Sequence, residues 1–329
     1  MASAGPAFCL RELQVRIRGE VRRQQERLTP EEMSRIQAAR DGDTIYGIDV
    51  HAEALLFAFC EEWSRELPLV LVAEGIEGSG ARPFPEGLRE EDAAFRLLID
   101  PIDGTRGLMY NKRSAWSLAG AAPNLGPGTR LCDIEVAAQT ELPTTRSHLS
   151  DQLWAIRGEG AHGETHDLRA GTRSRFAPQP SRAPTLAHGF AAISKFFPGG
   201  KAAAARLEEA LFEELLGPPR DGNPLVFDDE YVSSGGQLYE LAVGHDRFLA
   251  DLRPIFHAAS EAPRLCCHPY DLASELVARE AGVIVTDPEG GPLDPPLDIR
   301  ADVAWIGYAN ETLRRQIEPV LQRLLKSPP

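Results

Sequence analysis

Apolar residues recur with helical spacing in several segments of this 329-residue chain. Near the N-terminus, Leu10, Leu13 and Ile17 lie three and four residues apart within a charged stretch, 9–40, that favours helix. Thr29 followed by Pro30 is typical of a helix start, because the hydroxyl can cap the first turn and proline is well tolerated there. Further helices are predicted over residues 52–63, 201–216, 238–243, 271–281 and 310–325.

Short uninterrupted apolar runs alternate with these helices and predict buried strands. They cover residues 67–73, 95–99, 116–122, 132–138, 153–157, 283–286 and 303–308. The Gly-, Pro- and acid-rich stretch 75–92 predicts a loop, and the Pro-, Ser- and Arg-rich stretch 171–185 predicts a linker. The sequence therefore predicts a layered α/β (α+β) protein with two halves, residues 1–175 and 176–329.

Two further local patterns are interpreted as structural. The segment GEGAHG at 158–163 has the spelling of a dinucleotide fingerprint, but no apolar helix follows it, so a hairpin turn is predicted. Cys266, Cys267 and His268 suggest a metal cluster, but adjacent cysteines seldom chelate one ion well and no second pair exists.

Composition narrows the possible partners and location. Hydrophobic residues make up 43% of the chain, enough for a full core, and the formal net charge is −14. That charge argues against nucleic acid or an anionic membrane as a partner. Five cysteines, an odd number, do not suggest a disulfide framework, and a cytoplasmic location is expected. The N-terminus does not resemble a signal peptide, and no run approaches the roughly 18 apolar residues of a membrane helix.

The most informative segment is the end of the apolar run at 95–100. Asp100 and Asp103 lie three residues apart, and Gly104 and Thr105 follow at once. Pro101 between the two acids favours a sharp turn where the strand ends, which can aim both carboxylates into one crevice. Two converging carboxylates suit an oxygen-ligated divalent cation, with Mg²⁺ the first candidate. A surface turn of the D-P-x-D-G type is the alternative for this segment taken alone.

Four segments together resemble a known superfamily. DPIDGT at 100–105 resembles the D-P-[IL]-D-G-T signature of the inositol monophosphatase and fructose bisphosphatase superfamily of metal-dependent, lithium-sensitive phosphatases. YDLASELVAREAGV at 270–283 resembles its W-D-x-A and E-A-G-G segment. LVAEG at 71–75 stands in the place of its apolar-G-E-E segment, and VSSGG at 232–236 resembles its G-[ST]-[AS]-A segment. The four occur in the family's order and span residues 41–310.

The resemblance implies an alternating α-β-α-β-α sandwich of the sugar-phosphatase type and two or three Mg²⁺ ions in one site. The implied metal ligands are Glu74, Asp100, Asp103, Asp271 and the backbone carbonyl of Ile102. Two of these residues have a structural alternative. Glu74 could be a solvated charge at a strand end, and Asp271 could cap a helix.

The resemblance also implies the catalytic groups. Thr105 with Glu74 would orient and deprotonate a water on the metal, and Asp49 would hydrogen-bond Thr105 or a third cation. Asp49 could equally cap the helix that follows it. Substrate-binding groups are implied at Asp103, Gly104, Thr105, Ser233, Ser234, Gly235 and Asp251.

Several substrates remain open. A small phosphorylated molecule, most plausibly inositol monophosphate or a related sugar phosphate, is the leading expectation, with a homodimer as the assembly. A 3′,5′-bisphosphate nucleotidase is an alternative because DGTRGL resembles the D-G-T-K-G-F spelling of those enzymes, so that Arg106 would face a second phosphate or else solvent. Fructose-1,6-bisphosphatase activity is another. A non-catalytic binding protein is the alternative from a different class, since Gly47, Gly75 and Tyr270 depart from the family pattern.

Overall fold

The computed structural model describes residues 5–40, 43–76, 78, 80–218, 223–257 and 265–327. The helices are α1 (Pro6–Arg27), α2 (Pro30–Met33), α3 (Gly47–Trp63), α4 (Thr105–Met109), α5 (Lys201–Leu216), α6 (Ser234–Ala242), α7 (Arg253–His257), α8 (Glu275–Ala281) and α9 (Glu311–Lys326). None of the helices in this part of the chain is both long enough and apolar enough to span a bilayer.

The larger sheet has the strand order β10-β9-β8-β7-β6-β5-β3-β4. Its strands are β3 (Leu69–Ala73), β4 (Ala81–Phe84), β5 (Phe95–Asp103), β6 (Ala115–Pro123), β7 (Val136–Leu142), β8 (Leu149–Ile156), β9 (Ala161–Asp167) and β10 (Thr172–Phe176). All neighbours are antiparallel except β3 and β5. A separate two-stranded ribbon is formed by β1 (Ile36–Arg40) and β2 (Asp43–Tyr46).

The smaller sheet has the order β12-β11-β13-β15-β14. Its strands are β11 (Gly189–Ile193), β12 (Val226–Phe227), β13 (Asp246–Asp251), β14 (Ile284–Thr286) and β15 (Trp305–Tyr308). Helices α6 and α8 contact strands of both sheets and form the middle layer, whereas α1 and α3 cover the outer face of the larger sheet. Helices α5 and α9 pack on each other and on the smaller sheet. The predicted α-β-α-β-α sandwich is confirmed.

Two strands lie where the sequence predicted a loop and a linker. β4 pairs with β3, and its Phe84 side chain is buried in the core below α3. β10 extends the larger sheet by pairing with β9, and the Phe176 ring lies where a Cβ atom on Gly163 would stand. The predictions were wrong for residues 81–84 and 172–176 only. In these two segments, pairing with a neighbouring strand satisfies the backbone, and local composition does not reveal such pairing.

The predicted hairpin turn at 158–163 is confirmed, since it joins β8 to β9. Gly158 and Gly160 have φ angles of 79° and 81°, a region that glycine adopts without strain. Their N–H groups donate to the two carboxylate oxygens of Glu280 on α8 at 2.9 and 2.8 Å. The turn therefore anchors the middle helical layer to the larger sheet.

Strand β5 carries the acidic motif to the end of the larger sheet. Its pairing with β6 is regular up to Asp100 and is then interrupted before Asp103. Pro101 lies in the interruption, where it has no amide hydrogen to contribute to the ladder. Gly104 follows with a φ of 94°, which turns the chain from the strand into α4.

Candidate active site

Three carboxylates converge where β5 ends. One oxygen each from Asp100, Asp103 and Asp271 lie within 4.8 Å of one another. Asp100 and Asp103 are buried, and Asp271 is half-buried. All three line a cavity of about 120 Å³ between the two sheets. Water-sized volumes are about 10–15 Å³ on this measure, so the cavity suits a small molecule rather than a polymer.

Each carboxylate is held by a short hydrogen bond from the chain. Oδ1 of Asp100 accepts the backbone N–H of Ile102 at 2.9 Å, which turns the Asp100 side chain back over the proline. Oδ2 of Asp271 accepts the backbone N–H of His268 at 2.7 Å and so caps the short 3₁₀ turn Pro269–Leu272. Asp271 therefore has the capping role, although for this 3₁₀ turn and not for α8, which begins only at Glu275.

Asp103 is held by the segment that leads into α6. Its Oδ2 accepts the Ser233 hydroxyl at 2.8 Å and the Gly235 N–H at 2.6 Å. A Cβ on Gly235 would overlap the side chain of Leu118, so the close approach requires glycine. Ser233 and Gly235 were predicted to bind substrate. Ser233 lines the cavity, but both groups are directed at Asp103, and Gly235 does not line the cavity among the described residues.

Burial raises the pKa of both Asp103 and Asp271, and the Asp271 carboxylate raises that of Asp103 further. Three negative charges this close are costly to keep without a positive partner. The donors are all hard oxygens, as Mg²⁺, Ca²⁺ and Mn²⁺ prefer. The residues present therefore fit a divalent cation.

The other predicted catalytic residues, Thr105, Glu74 and Asp49, differ in how the structure places them. The Thr105 hydroxyl donates to the Ile102 carbonyl at 2.7 Å, so these two groups contact each other directly. Glu74 is half-buried and lines the cavity next to β3, but it does not join the three clustered aspartates. Asp49 lies in the first turn of α3, and its side chain falls outside the described part of the structure.

This layout was compared with known proteins. No family model matches the sequence, and no curated protein matches it either. Solved structures do match over nearly the whole chain. The extragenic suppressor protein SuhB of Bartonella henselae is 18% identical, with 98% of each chain covered and a TM-score of 0.64. The fructose-1,6-bisphosphatase of Leishmania major is 14% identical, with 97% and 92% covered and a TM-score of 0.65. The IMPase of Thermotoga maritima is 16% identical, with 96% of each covered and a TM-score of 0.59. The chain has the inositol monophosphatase and fructose bisphosphatase fold.

Within this fold, one predicted substrate ligand lies elsewhere than expected. Asp251, at the end of β13, is fully buried and does not line the cavity among the described residues. Its carboxylate accepts three hydrogen bonds from the Arg253 guanidinium and one from the Arg253 backbone N–H. The described structure therefore does not show the expected contact between Asp251 and the cavity, and Arg253 is the member of the pair that lines it.

Sequence reasoning missed three residues that line the same cavity: Arg253, Phe196 and Phe197. No motif marks them. The only local signal in the sequence was an arginine, Arg253, two residues after an acid, Asp251. Arg106 also lines the cavity, with its guanidinium carbon 5.8 Å from the Tyr46 ring centre and 5.4 Å from that of Phe197. Of the two alternatives for Arg106, the structure favours the one that faces the cavity.

Ser234 and the nearby cysteines complete the wall. Ser234 lines the cavity, and its hydroxyl donates to Sγ of Cys267 at 3.5 Å. Burial raises the pKa of the thiols of Cys266 and Cys267, which keeps them protonated at neutral pH. The group of described residues that could hold a metal ion includes neither cysteine.

Proposed function

We propose that the protein is a divalent-metal-dependent phosphatase that hydrolyses a phosphate monoester of a small molecule. The observation that carries this proposal is the convergence of Asp100, Asp103 and Asp271 within 4.8 Å, in a cavity at the end of β5. The fold shared with the SuhB, IMPase and fructose-1,6-bisphosphatase structures supports it.

Asp100, Asp103 and Asp271 would hold the cation, with Glu74 and the Ile102 carbonyl as further candidate ligands. We propose Mg²⁺, in two or three positions. When bound, Mg²⁺ supplies a Lewis acid that polarises phosphate oxygens and makes water a better nucleophile near neutral pH.

The chain's own contribution is to fix these groups before substrate arrives. Backbone N–H groups of Ile102, Gly235 and His268 each hold one of the three carboxylates, so little reorganisation is needed on binding. The Thr105 hydroxyl is fixed against the Ile102 carbonyl. We assign the role of proton acceptor to a carboxylate oxygen of Glu74, with Thr105 positioning the attacking water. Gly104 and Thr105 would contact the phosphate, and Asp49 is kept as the proposed partner of Thr105.

The size of the cavity favours a substrate such as an inositol or sugar phosphate. A bisphosphorylated substrate, as in a 3′,5′-bisphosphate nucleotidase or a fructose-1,6-bisphosphatase, is the second candidate. It is favoured by a specific observation, since two arginines and the rings of Tyr46, Phe196 and Phe197 line the same cavity.

A phosphate-release screen tests the proposal. Inositol, fructose, histidinol and nucleotide phosphates would be assayed with Mg²⁺ and with excess chelator. We expect release from at least one class in Mg²⁺ and none in chelator. Hydrolysis that persists unchanged in chelator, or no hydrolysis of any ester by protein that binds Mg²⁺, would overturn the proposal.

A further inference from the structure

The cavity wall contains a buried guanidinium, that of Arg253 at the start of α7, which several groups of the chain support. Arg253 is 5% exposed, and its partner Asp251 is 0% exposed. Nε of Arg253 lies 2.8 and 3.0 Å from the two carboxylate oxygens of Asp251, and Nη2 lies 2.5 Å from Oδ2. The pair is therefore bidentate, the geometry that holds a guanidinium plane in one orientation.

Arg253 is supported on two other sides as well. Nη1 donates to the Leu265 carbonyl at 3.2 Å, and the guanidinium carbon lies 4.4 Å from the Phe196 ring centre and 5.5 Å from that of Phe197. Within the described residues these bonds engage three of the five N–H groups that a guanidinium carries. Among the described residues, one N–H on each terminal nitrogen has no acceptor and could donate to a ligand. Arg253 lines the cavity that also contains the three aspartates.

Burying an ion pair is costly, and a structural role is met as well or better by apolar residues. Because Arg253 lines the cavity, the buried pair of Arg253 and Asp251 is better explained by a ligand that binds in the cavity. Arg106 adds a second guanidinium to the same wall, with the Phe197 ring within 5.5 Å of both cations. In a chain with a net charge of −14, these are local positive groups in a molecule that otherwise repels anions.

We propose that Arg253, with Asp251 as its positioning residue, selects substrates whose leaving alcohol carries a second anionic group, a phosphate or a carboxylate, over neutral polyols. This inference rests on the proposed function. It places one anionic end of the substrate at the aspartate cluster and the other at Arg253. It ranks the bisphosphorylated substrates, the second candidate above, ahead of the monophosphate of a neutral polyol. It also replaces the proposal that Asp251 accepts hydrogen bonds from substrate hydroxyls.

Matched substrate pairs test the selection. Inositol 1,4-bisphosphate against inositol 1-phosphate isolates a second phosphate, and 2-phosphoglycerate against glycerol 2-phosphate isolates a carboxylate. We expect the unmodified protein to favour the doubly anionic member of at least one pair by about tenfold or more in kcat/KM. Which pair shows the preference distinguishes phosphate from carboxylate. Equal kcat/KM within both pairs would overturn the inference.

The variant Arg253→Gln should raise KM for the preferred substrate by about 10- to 100-fold, the range expected for charge-assisted hydrogen bonds. KM for p-nitrophenyl phosphate, which lacks a second anion, should rise by about tenfold less. Because the positive charge of Arg253 also lowers the pKa of Asp103 and of Asp271, any change in Mg²⁺ activation should affect both substrates equally. A purely structural arginine would instead lower activity on every substrate together. Arg253→Lys should recover part of the preference, and Asp251→Asn should weaken it without abolishing it.

Arg96→Gln is a matched control. Arg96 is also buried and paired, with Glu90 and Asn124, but it does not line the cavity among the described residues. Its replacement should cost stability and leave the substrate preference intact. If Arg253→Gln fails to fold, Arg253→Lys and Asp251→Asn still test the preference, and an unchanged preference in both would overturn the inference.

A binding measurement separates this inference from the proposed function. Ca²⁺ prefers longer bonds and looser coordination than Mg²⁺, so we expect it to bind the aspartates without supporting turnover. Calorimetric titration with inositol 1,4-bisphosphate and inositol 1-phosphate in Ca²⁺ buffer should therefore report affinity alone. Tighter binding of the bisphosphate that is lost in Arg253→Gln would support the inference even if the phosphate-release screen fails. The same titration with 2-phosphoglycerate and glycerol 2-phosphate tests the carboxylate. Equal binding within both pairs would overturn the inference and leave the phosphatase proposal standing.

Discussion

At the scale of single residues, the proposed metal site depends on Asp103, a buried carboxylate that lies close to two other carboxylates. In the metal-free protein the pKa of Asp103 is raised by burial and by the nearby Asp271 carboxylate. We expect Asp103→Asn to lower phosphatase turnover by more than about 100-fold, beyond what loss of a supporting group costs. The same change should leave the metal-free protein equally stable or more stable at pH 8, because a neutral amide removes the repulsion.

Two measurements check the prediction for Asp103→Asn. Thermal unfolding at pH 8 without metal should give an equal or higher Tm than the unmodified protein, and added Mg²⁺ should raise that Tm less. Near-native turnover would show instead that Asp103 is only part of a turn.

Ser233 is hydrogen-bonded to the same carboxylate, that of Asp103. Its hydroxyl donates to Oδ2 of Asp103 at 2.8 Å, so it orients the proposed ligand. We expect Ser233→Ala to weaken Mg²⁺ activation by about 10- to 100-fold, as is typical for groups that orient a metal ligand. Ser274→Ala is the control, because that buried hydroxyl donates to Gln139 and does not line the cavity among the described residues. Equal Mg²⁺ dependence in both variants would contradict the prediction.

At the scale of elements, the hairpin between β8 and β9 is hydrogen-bonded to α8 and holds it in place. The N–H groups of Gly158 and Gly160 both donate to the Glu280 carboxylate. We expect Glu280→Gln to lower the free energy of unfolding by about 1 kcal/mol, since one charge-assisted bond becomes neutral and the other N–H loses its acceptor. Urea unfolding measures the change, and kcat/KM should not move. A large loss of activity with unchanged stability would show that the hairpin serves the site.

Elements with a clear apolar period could be predicted from the sequence, and those without one could not. The strand β5 and the helices α3, α5 and α9 were predicted close to their observed positions. The edge strands β4 and β10 were missed, because pairing with a distant segment rather than an apolar pattern defines them. The charged stretch 9–40 was predicted to favour helix. The first helix ends at Arg27, however, and the ribbon β1–β2 begins within the same stretch.

The same limit applies to the site. Asp100 and Asp103 follow from one short segment, because a proline between two acids constrains a turn locally. Arg253 and Phe196 could not be predicted, because no local pattern brings the start of α7 and the segment after β11 to one cavity. Two acids of that cavity, Asp100 and Asp103, lie about 150 residues before Arg253. Asp251 shows the opposite error. The family resemblance suggested that Asp251 binds substrate. In the structure, Arg253, two residues later, lines the cavity, and among the described residues Asp251 does not.

At the scale of the whole molecule, buried carboxyl groups outside the site make stability depend on pH. Asp246, at the start of β13, is buried beside Glu240, and burial with that neighbouring charge raises its pKa to about 7. In the unfolded chain the same carboxyl titrates near 4. Between about pH 4 and 7 the unfolded state has therefore already lost a proton that the folded state keeps. The Asp246 contribution to stability is complete below about pH 4 and is lost as the pH rises to about 7.

Replacing Asp246 isolates this contribution. We expect Asp246→Asn to be less stable than, or equal to, the unmodified protein at pH 4, and to gain about 1 to 3 kcal/mol relative to it by pH 8. A tenfold difference in proton affinity corresponds to about 1.4 kcal/mol, so a shift from about 4 to about 7 sets an upper limit of about 4 kcal/mol. The expected gain is smaller because relaxation and water penetration lower the cost of a buried charge. Urea unfolding of both proteins at pH 4, 6 and 8, in chelator so that the aspartate cluster contributes equally, measures the difference. His166 titrates in the opposite sense, since burial lowers its pKa to about 4, but it is present in both proteins and cancels. A stability difference that stays constant from pH 4 to 8 would show that the Asp246 carboxyl titrates at the same pH in the folded and unfolded states.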